Sequence, residues 1–279
     1  MSEHRLTPRQ LAFFDTFGYL SLPDLMADCI DEIIDAFEAV WAERGGGHHG
    51  RAHDGEQRSC IVPFIDQHER LCALLDDGRI EGLLASLLGD DFNYVSSDGN
   101  YYAGDTRWHS DGWGKVVRFT KIAFYLDPLT ADTGALRVIP GSHRLEDCYA
   151  QKVQEEIPES ADKWGVDGAQ VPAVALETQP GDVAVFNHNL KHAAFGGGGW
   201  RRMFTINCSQ RMPEEHLPVL ESYIGAHARF WNDRLYGEKM VATASPQRMV
   251  HLEQAMAHDG HLAELAARAR EDMAEPSRG

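Results

Sequence analysis

The sequence has no apolar run long enough to cross a membrane, although hydrophobic residues make up 43% of it. Its start, Met1-Ser2-Glu3-His4-Arg5, leads into no apolar signal core, so a cytoplasmic protein is expected. Cysteine is scarce. Cys29, Cys60, Cys72, Cys148 and Cys208 are odd in number, and no two stand at Cys-x-x-Cys spacing. That argues against a disulfide framework or a cysteine zinc site and for reduced thiols. Positive charge is also short, with 26 Lys and Arg against 43 Asp and Glu and a formal net charge of -17. A surface of that sign repels phosphate backbones and anionic lipid, which disfavours nucleic acid and membrane as partners. No internal repeat is visible.

The 279 residues suffice for a sizeable core. Thr7-Pro8-Arg9-Gln10 reads as a helix start: Thr7 caps, Pro8 suits the first position, Gln10 completes a capping box, and Gly18 ends the helix. Ile30, Ile33, Ile34, Phe37, Val40 and Trp41 recur at helical spacing over 28–43, and residues 68–88 carry a similar leucine-rich pattern. From about residue 92 the pattern changes to short aromatic and β-branched runs split by turns. Strands are predicted over 116–126, 136–139, 183–186 and 203–210, which suggests an antiparallel sandwich or barrel. Residues 212–279 return to helical patterns, one running from Pro246 to Met273, with Pro276–Gly279 as a frayed end. The expected organisation is one domain over 1–279: a helical part at 6–88, a β core at 92–210 and a helical part at 212–275.

The chemistry is carried by Trp108-His109-Ser110-Asp111-Gly112. In a strand, residues two apart share a face, so His109 and Asp111 can converge on one ion. His192 follows 83 residues later, just past the predicted strand at 183–187. Two imidazoles and one carboxylate on one side of a metal leave positions open for a bidentate co-substrate and O₂, the arrangement of non-haem iron(II) oxygenases. Arg201-Arg202 opens the next strand, and an arginine in a barrel can grip a far carboxylate through two hydrogen bonds, which points to 2-oxoglutarate.

In order and spacing, four segments resemble the phytanoyl-CoA dioxygenase family of iron(II)/2-oxoglutarate oxygenases. They are Leu6-Thr7-Pro8 to Gly18-Tyr19, Trp108 to Asp111, Gly134-Ala135-Leu136-Arg137-Val138-Ile139-Pro140-Gly141-Ser142-His143, and Pro180-Gly181-Asp182 through His192 to Arg201. The resemblance implies a mainly β fold with flanking helices, a double-stranded β-helix of the jelly-roll, cupin-like kind. It implies iron(II) on His109, Asp111 and His192, and 2-oxoglutarate held by Arg201 rather than Arg202. The family often has a small hydroxyl residue two places after the second histidine; Ala194 stands there, so Asn100, Tyr102 or Thr120 is expected to supply a further contact. Halogenating relatives lack the carboxylate, so Asp111 favours hydroxylation or another oxidative outcome over halogenation, and hydroxylation of an unactivated C–H bond with release of succinate and CO₂ is expected.

Trp113 and Arg118 are candidate substrate contacts, with Lys121 in opposite phase to Arg118 on the same strand. His143 is read as shaping its loop, His188 as a weaker alternative ligand, and His48-His49 as a solvated loop or lid. The expected partner is a small-molecule substrate, and the expected state a monomer or homodimer. The competing reading is a non-catalytic or differently metallated cupin-like binding protein.

Overall fold

The computed structural model describes residues 4–112 and 114–279. Ten strands form two antiparallel sheets. In chain order they are β1 (Tyr19–Leu22), β2 (Ser59–Ile61), β3 (Asn93–Tyr102), β4 (Thr106–His109), β5 (Phe119–Tyr125), β6 (Leu136–Val138), β7 (Val174–Leu176), β8 (Val183–Asn187), β9 (His192–Ala194) and β10 (Arg201–Ser209). The larger sheet runs β1-β8-β5-β10-β3-β2 and the smaller runs β4-β9-β6-β7. This is the expected mainly β architecture with flanking helices.

The larger sheet is covered on both faces, and its strands show why. Alternation sends Ile122 and Phe124 of β5, Val183 and Val185 of β8, and Phe204, Ile206 and Cys208 of β10 into one core with the helices. Ala123 and Tyr125, and Ala184 and Phe186, pack from the other face into a second core with Leu136, Val138 and Leu176 of the smaller sheet. A strand buried on both sides reads as an unbroken apolar run, as Val183 to Phe186 does.

The first helix, Pro8–Phe17, carries the expected Thr7–Gln10 capping box and stops at Gly18 in the left-handed region, φ 86°. The helix Ile30–Glu43 buries Ile33, Phe37, Val40 and Trp41. Two predicted continuous helices are broken. Residues 68–88 divide into Glu69–Cys72, a 3₁₀ turn and Gly78–Leu88, the last restarted by the Asp77 cap. The C-terminal pattern divides into Pro246–Ala257 and Leu262–Asp272. Between them the buried Asp259 accepts from Leu235 N and Arg234 Nε, and Gly260 follows. Nor is the tail frayed: Pro276 O accepts from His48 Nε2 at 2.9 Å, and Ser277 N donates to Arg229 O at 2.8 Å. His48 is therefore buried rather than solvated.

Gly99 on β3 lies directly under the buried Phe64 ring, where a Cβ would stand 1.9 Å from Phe64 Cδ2. Phe64 also packs on Phe37 and Phe204, so it has nowhere to move. Gly99→Ala is expected to cost about 1–3 kcal/mol of stability, as overpacking does; denaturant unfolding followed by circular dichroism measures it.

Candidate functional site

The two sheets open on a cavity of about 680 Å³. His109 ends β4 and is paired in register with His192 on β9, so backbone pairing alone sets the two rings side by side, centroids 4.2 Å apart. Each ring is also fixed in orientation. His109 Nδ1 donates to Arg107 O at 2.8 Å, and His192 Nδ1 donates to Leu190 O at 2.9 Å. A carbonyl oxygen can only accept, so both Nδ1 atoms carry the proton and both Nε2 lone pairs are free. Those two Nε2 atoms lie 3.8 and 3.6 Å from the oxygens of Asp111.

Asp111 arrives by a different route from the one sequence alternation suggests. β4 ends at His109, and the chain is then held by Asp111 N and Gly112 N, which both donate to His188 O at 2.9 and 3.1 Å. The loop after β8 thus brings the carboxylate to the histidines. The three ligand atoms all lie within 4.8 Å of one another, the only such group found among the described residues. Two neutral imidazoles and one carboxylate suit a first-row divalent ion, and the donor set fits iron(II).

Burial opposes the charge on Asp111, but Lys121 and the neighbouring histidines outweigh it and hold the carboxyl well below its usual range. Lys121 Nζ lies 2.8 Å from Asp111 Oδ2 as an ion pair without a well-aligned hydrogen bond. Burial pushes His192 down to about 3 and His188 to about 4, so both are neutral at pH 7. His188 donates no ligand atom to the group and instead lies 3.1 Å from Asn207 Oδ1.

Arg201, at the start of β10, lines the same cavity and is buried. Its Nη1 donates to Gly134 O at 2.8 Å and its Nη2 to Gly104 O, while its buried Nε has no partner. No carboxylate pairs with it among the described residues. Arg202 points to the opposite face, where Asp127 and Glu38 bind it. Tyr102 stacks on the Arg201 guanidinium at 5.1 Å and accepts from Thr106 Oγ1 at 2.9 Å. Thr106 is the register partner of Ala194 and lines the cavity, so a hydroxyl stands across the ladder from the position where the sequence lacks one.

Other expected contacts fall elsewhere. Thr120 and Arg118 share the phase of Ile122 and Phe124 and point toward the helices. Arg118 is held by Asp15 and Leu87 O, and it is Lys121, in opposite phase, that enters the cavity. Asn100 is spanned by Arg58 Nε and Asp98 Oδ2 at 2.7 Å each and does not line the cavity. His143 lies 3.2 Å from Asp15 O, a loop contact. Trp113 lies outside the described residues. Sequence reasoning missed Tyr223, His227, Arg229 and Phe230, which wall the cavity from the helical C-terminal part. Only their cluster of aromatic and basic residues between two helical patterns could have marked them.

No helix among the described residues is long and apolar enough to cross a membrane. The family model for phytanoyl-CoA dioxygenase (PhyH) matches residues 14–203. Ectoine dioxygenase of Sphingopyxis alaskensis is 27% identical over 232 residues, 68% of this chain and 71% of that protein. The crystal structure of EctD from S. alaskensis with bound Fe superposes with a TM-score of 0.58 at 25% identity, over 75% of this chain and 79% of that one. EctD with 2-oxoglutarate and 5-hydroxyectoine gives 0.56 at 24% identity, over 75% and 78%. The non-heme alpha-ketoglutarate-dependent carbocyclase SnoK from nogalamycin biosynthesis gives 0.58 at 21% identity, over 75% and 86%, a likeness of fold. The two sheets are thus the jelly roll that the sequence implied, and the chain belongs to the phytanoyl-CoA dioxygenase family, among the iron/2-oxoglutarate-dependent oxidoreductases.

Proposed function

We propose that this chain hydroxylates an unactivated C–H bond of a small organic molecule, with iron(II) on His109, Asp111 and His192 and 2-oxoglutarate on Arg201. The observation that carries this reading is the meeting, in one cavity, of a two-histidine, one-carboxylate group and a buried guanidinium that has no carboxylate partner among the described residues. Iron(II), when bound, supplies O₂ activation coupled to decarboxylation of 2-oxoglutarate to succinate.

The chain's own residues supply geometry and charge. The carbonyls of Arg107 and Leu190 hold the two Nδ1 protons, which keeps both Nε2 atoms available as ligands. Arg201 receives the far carboxylate of the co-substrate, oriented by the carbonyls of Gly104 and Gly134, with Tyr102 and Thr106 beside it. A buried cation bound only to carbonyls and an aromatic face gains most from an anion. Tyr223 and Phe230 from the helical C-terminal part line the same cavity as the strands, which supports reading that part and the barrel as one domain.

His109→Ala or Asp111→Ala is expected to abolish succinate formation while circular dichroism shows the fold retained, with a lower Tm for Asp111→Ala because Lys121 loses its partner; turnover retained in either variant removes that residue from the site. Anaerobic addition of iron(II) and 2-oxoglutarate should produce a weak visible charge-transfer absorption. Its absence, with no succinate formed over a substrate library, favours a binding protein instead. Arg201→Gln should raise the KM for 2-oxoglutarate by about tenfold or more, and Arg202→Gln should not. A larger effect at Arg202 would reverse the assignment, and equal effects would remove it.

Acid should act on the metal-free fold in a defined direction. Burial holds His188, His192 and His227 at about 4, 3 and 4 in the folded chain, below the 6.5 of a free imidazole. As pH falls below about 6.5 the unfolded chain takes up protons that the folded chain refuses, so this contribution to stability is present above 6.5 and lost below it. Each histidine then costs about 1–2 kcal/mol at pH 5. Asp66, raised to about 6 by burial, works the other way, since it favours the folded state as it protonates, but it is one group against three. Tm of the metal-free protein should therefore fall between pH 7 and pH 5, and a level or rising Tm contradicts the buried neutral histidines.

A further inference from the structure

The charges around the cavity do not resemble those of the chain. The protein carries a formal charge of -17, yet among the described residues the charged side chains lining this cavity are Arg58, Lys121, Arg201 and Arg229 against Asp98 and Asp111, with Gly279 also on the wall beside Arg58. Arg58 is neutralised by Asp98, 3.3 Å away. Asp98 is itself committed further, accepting from Asn100 and Thr205. Asp111 answers Lys121 or a bound divalent ion, and Arg201 is matched by the co-substrate's far carboxylate under the reading above. Burial holds the lining His227 neutral. Arg229 is left. It makes no ion pair among the described residues, and its guanidinium lies over the Phe230 ring at 4.7 Å, on the cavity wall.

The position of Arg229 is built rather than incidental. Its backbone carbonyl accepts from Ser277 N, so the tail anchors the 3₁₀ turn Ala226–Phe230 that carries it. Beside it the wall is aromatic: Tyr223 and Phe230 on this side, and Phe186 deeper, its ring 4.8 Å from that of His192. The surface between Arg229 and the metal-ligating group thus accepts an apolar or ring-bearing body with a negative charge at one end. Arg229 is exposed to solvent at the cavity wall; a cation there would meet an arginine with no ion-pair partner among the described residues, and a neutral molecule would gain nothing from its charge.

We propose that the substrate is a small organic acid, with its anionic group received by Arg229 and its apolar body laid along Tyr223 and Phe230 toward His109, Asp111 and His192. This rests on the oxygenase reading above. Arg201 and Arg229 are carried by different elements, β10 and the 3₁₀ turn Ala226–Phe230, so the co-substrate and the substrate each have a guanidinium of their own.

Isothermal titration calorimetry on the full chain, loaded with Mn(II) and saturating 2-oxoglutarate, tests the proposal. The probes are phenylacetate, 3-phenylpropionate and indole-3-acetate, each compared with its primary amide. At least one acid should bind about tenfold or more tightly than its amide. Arg229→Gln should reduce that acid to the affinity of the amide, while Arg118→Gln, which alters a cation outside the cavity, should not. The proposal is overturned if every pair binds alike, if amides bind better, if no acid binds, or if Arg229→Gln leaves the preference intact. A preliminary titration of 2-oxoglutarate into the Mn(II)-loaded protein separates the two failures. Absence of metal-dependent 2-oxoglutarate binding defeats the oxygenase reading, and this proposal with it. Normal 2-oxoglutarate binding without a preference for acids defeats this proposal alone.

Discussion

The site depends on one pairing in the smaller sheet, His109 opposite His192. Neither imidazole is placed by its own flexibility. The β4–β9 ladder sets their separation, and the carbonyls of Arg107 and Leu190 set their rotation. Only the carboxylate comes from outside the ladder, tied by two backbone amides to His188 O. Three side chains separated by 83 residues of sequence are in this way fixed mainly by main-chain hydrogen bonds, which no side-chain substitution elsewhere removes directly.

Electrostatics then divides the cavity. Around Asp111, burial and positive neighbours oppose each other, and the positive neighbours prevail. Around His192 and His188, burial prevails and keeps the rings neutral. The same low-dielectric surroundings therefore keep a carboxylate charged and imidazoles uncharged, the protonation states a divalent ion requires of its ligands. Arg201 shows the third outcome, a cation whose pKa burial lowers and which, among the described residues, binds carbonyls but pairs with no carboxylate.

Much of this could be read from the residues. Thr7 and Gln10 announce the first helix because a capping box is a local device. Val183 to Phe186 announces a strand because both of its faces are buried. The convergence of His109, Asp111 and His192 was legible as a set, but the way Asp111 gets there was not: alternation assumes that the strand continues past His109, and it does not. Phase decided the basic pair, with Lys121 inside and Arg118 outside, and the sequence does not say which face of a doubly buried sheet holds the cavity. Asn100 has the right phase, yet Arg58 and Asp98 claim it, a contact between distant segments. Thr106 went unnoticed because its significance lies in being opposite Ala194. Tyr223, His227, Arg229 and Phe230 reach the cavity only through the packing of the C-terminal helices.

β10 carries two kinds of residue in alternation. Phe204, Ile206 and Cys208 belong to the helix-side core, while Met203, Thr205 and Asn207 line the cavity. Mutations along this strand are thus sorted by parity. Changes at one set of positions strain the scaffold, and changes at the other remodel what is accepted. Such a division gives evolution a way to try new chemistry one side chain at a time while the scaffold beneath remains sound.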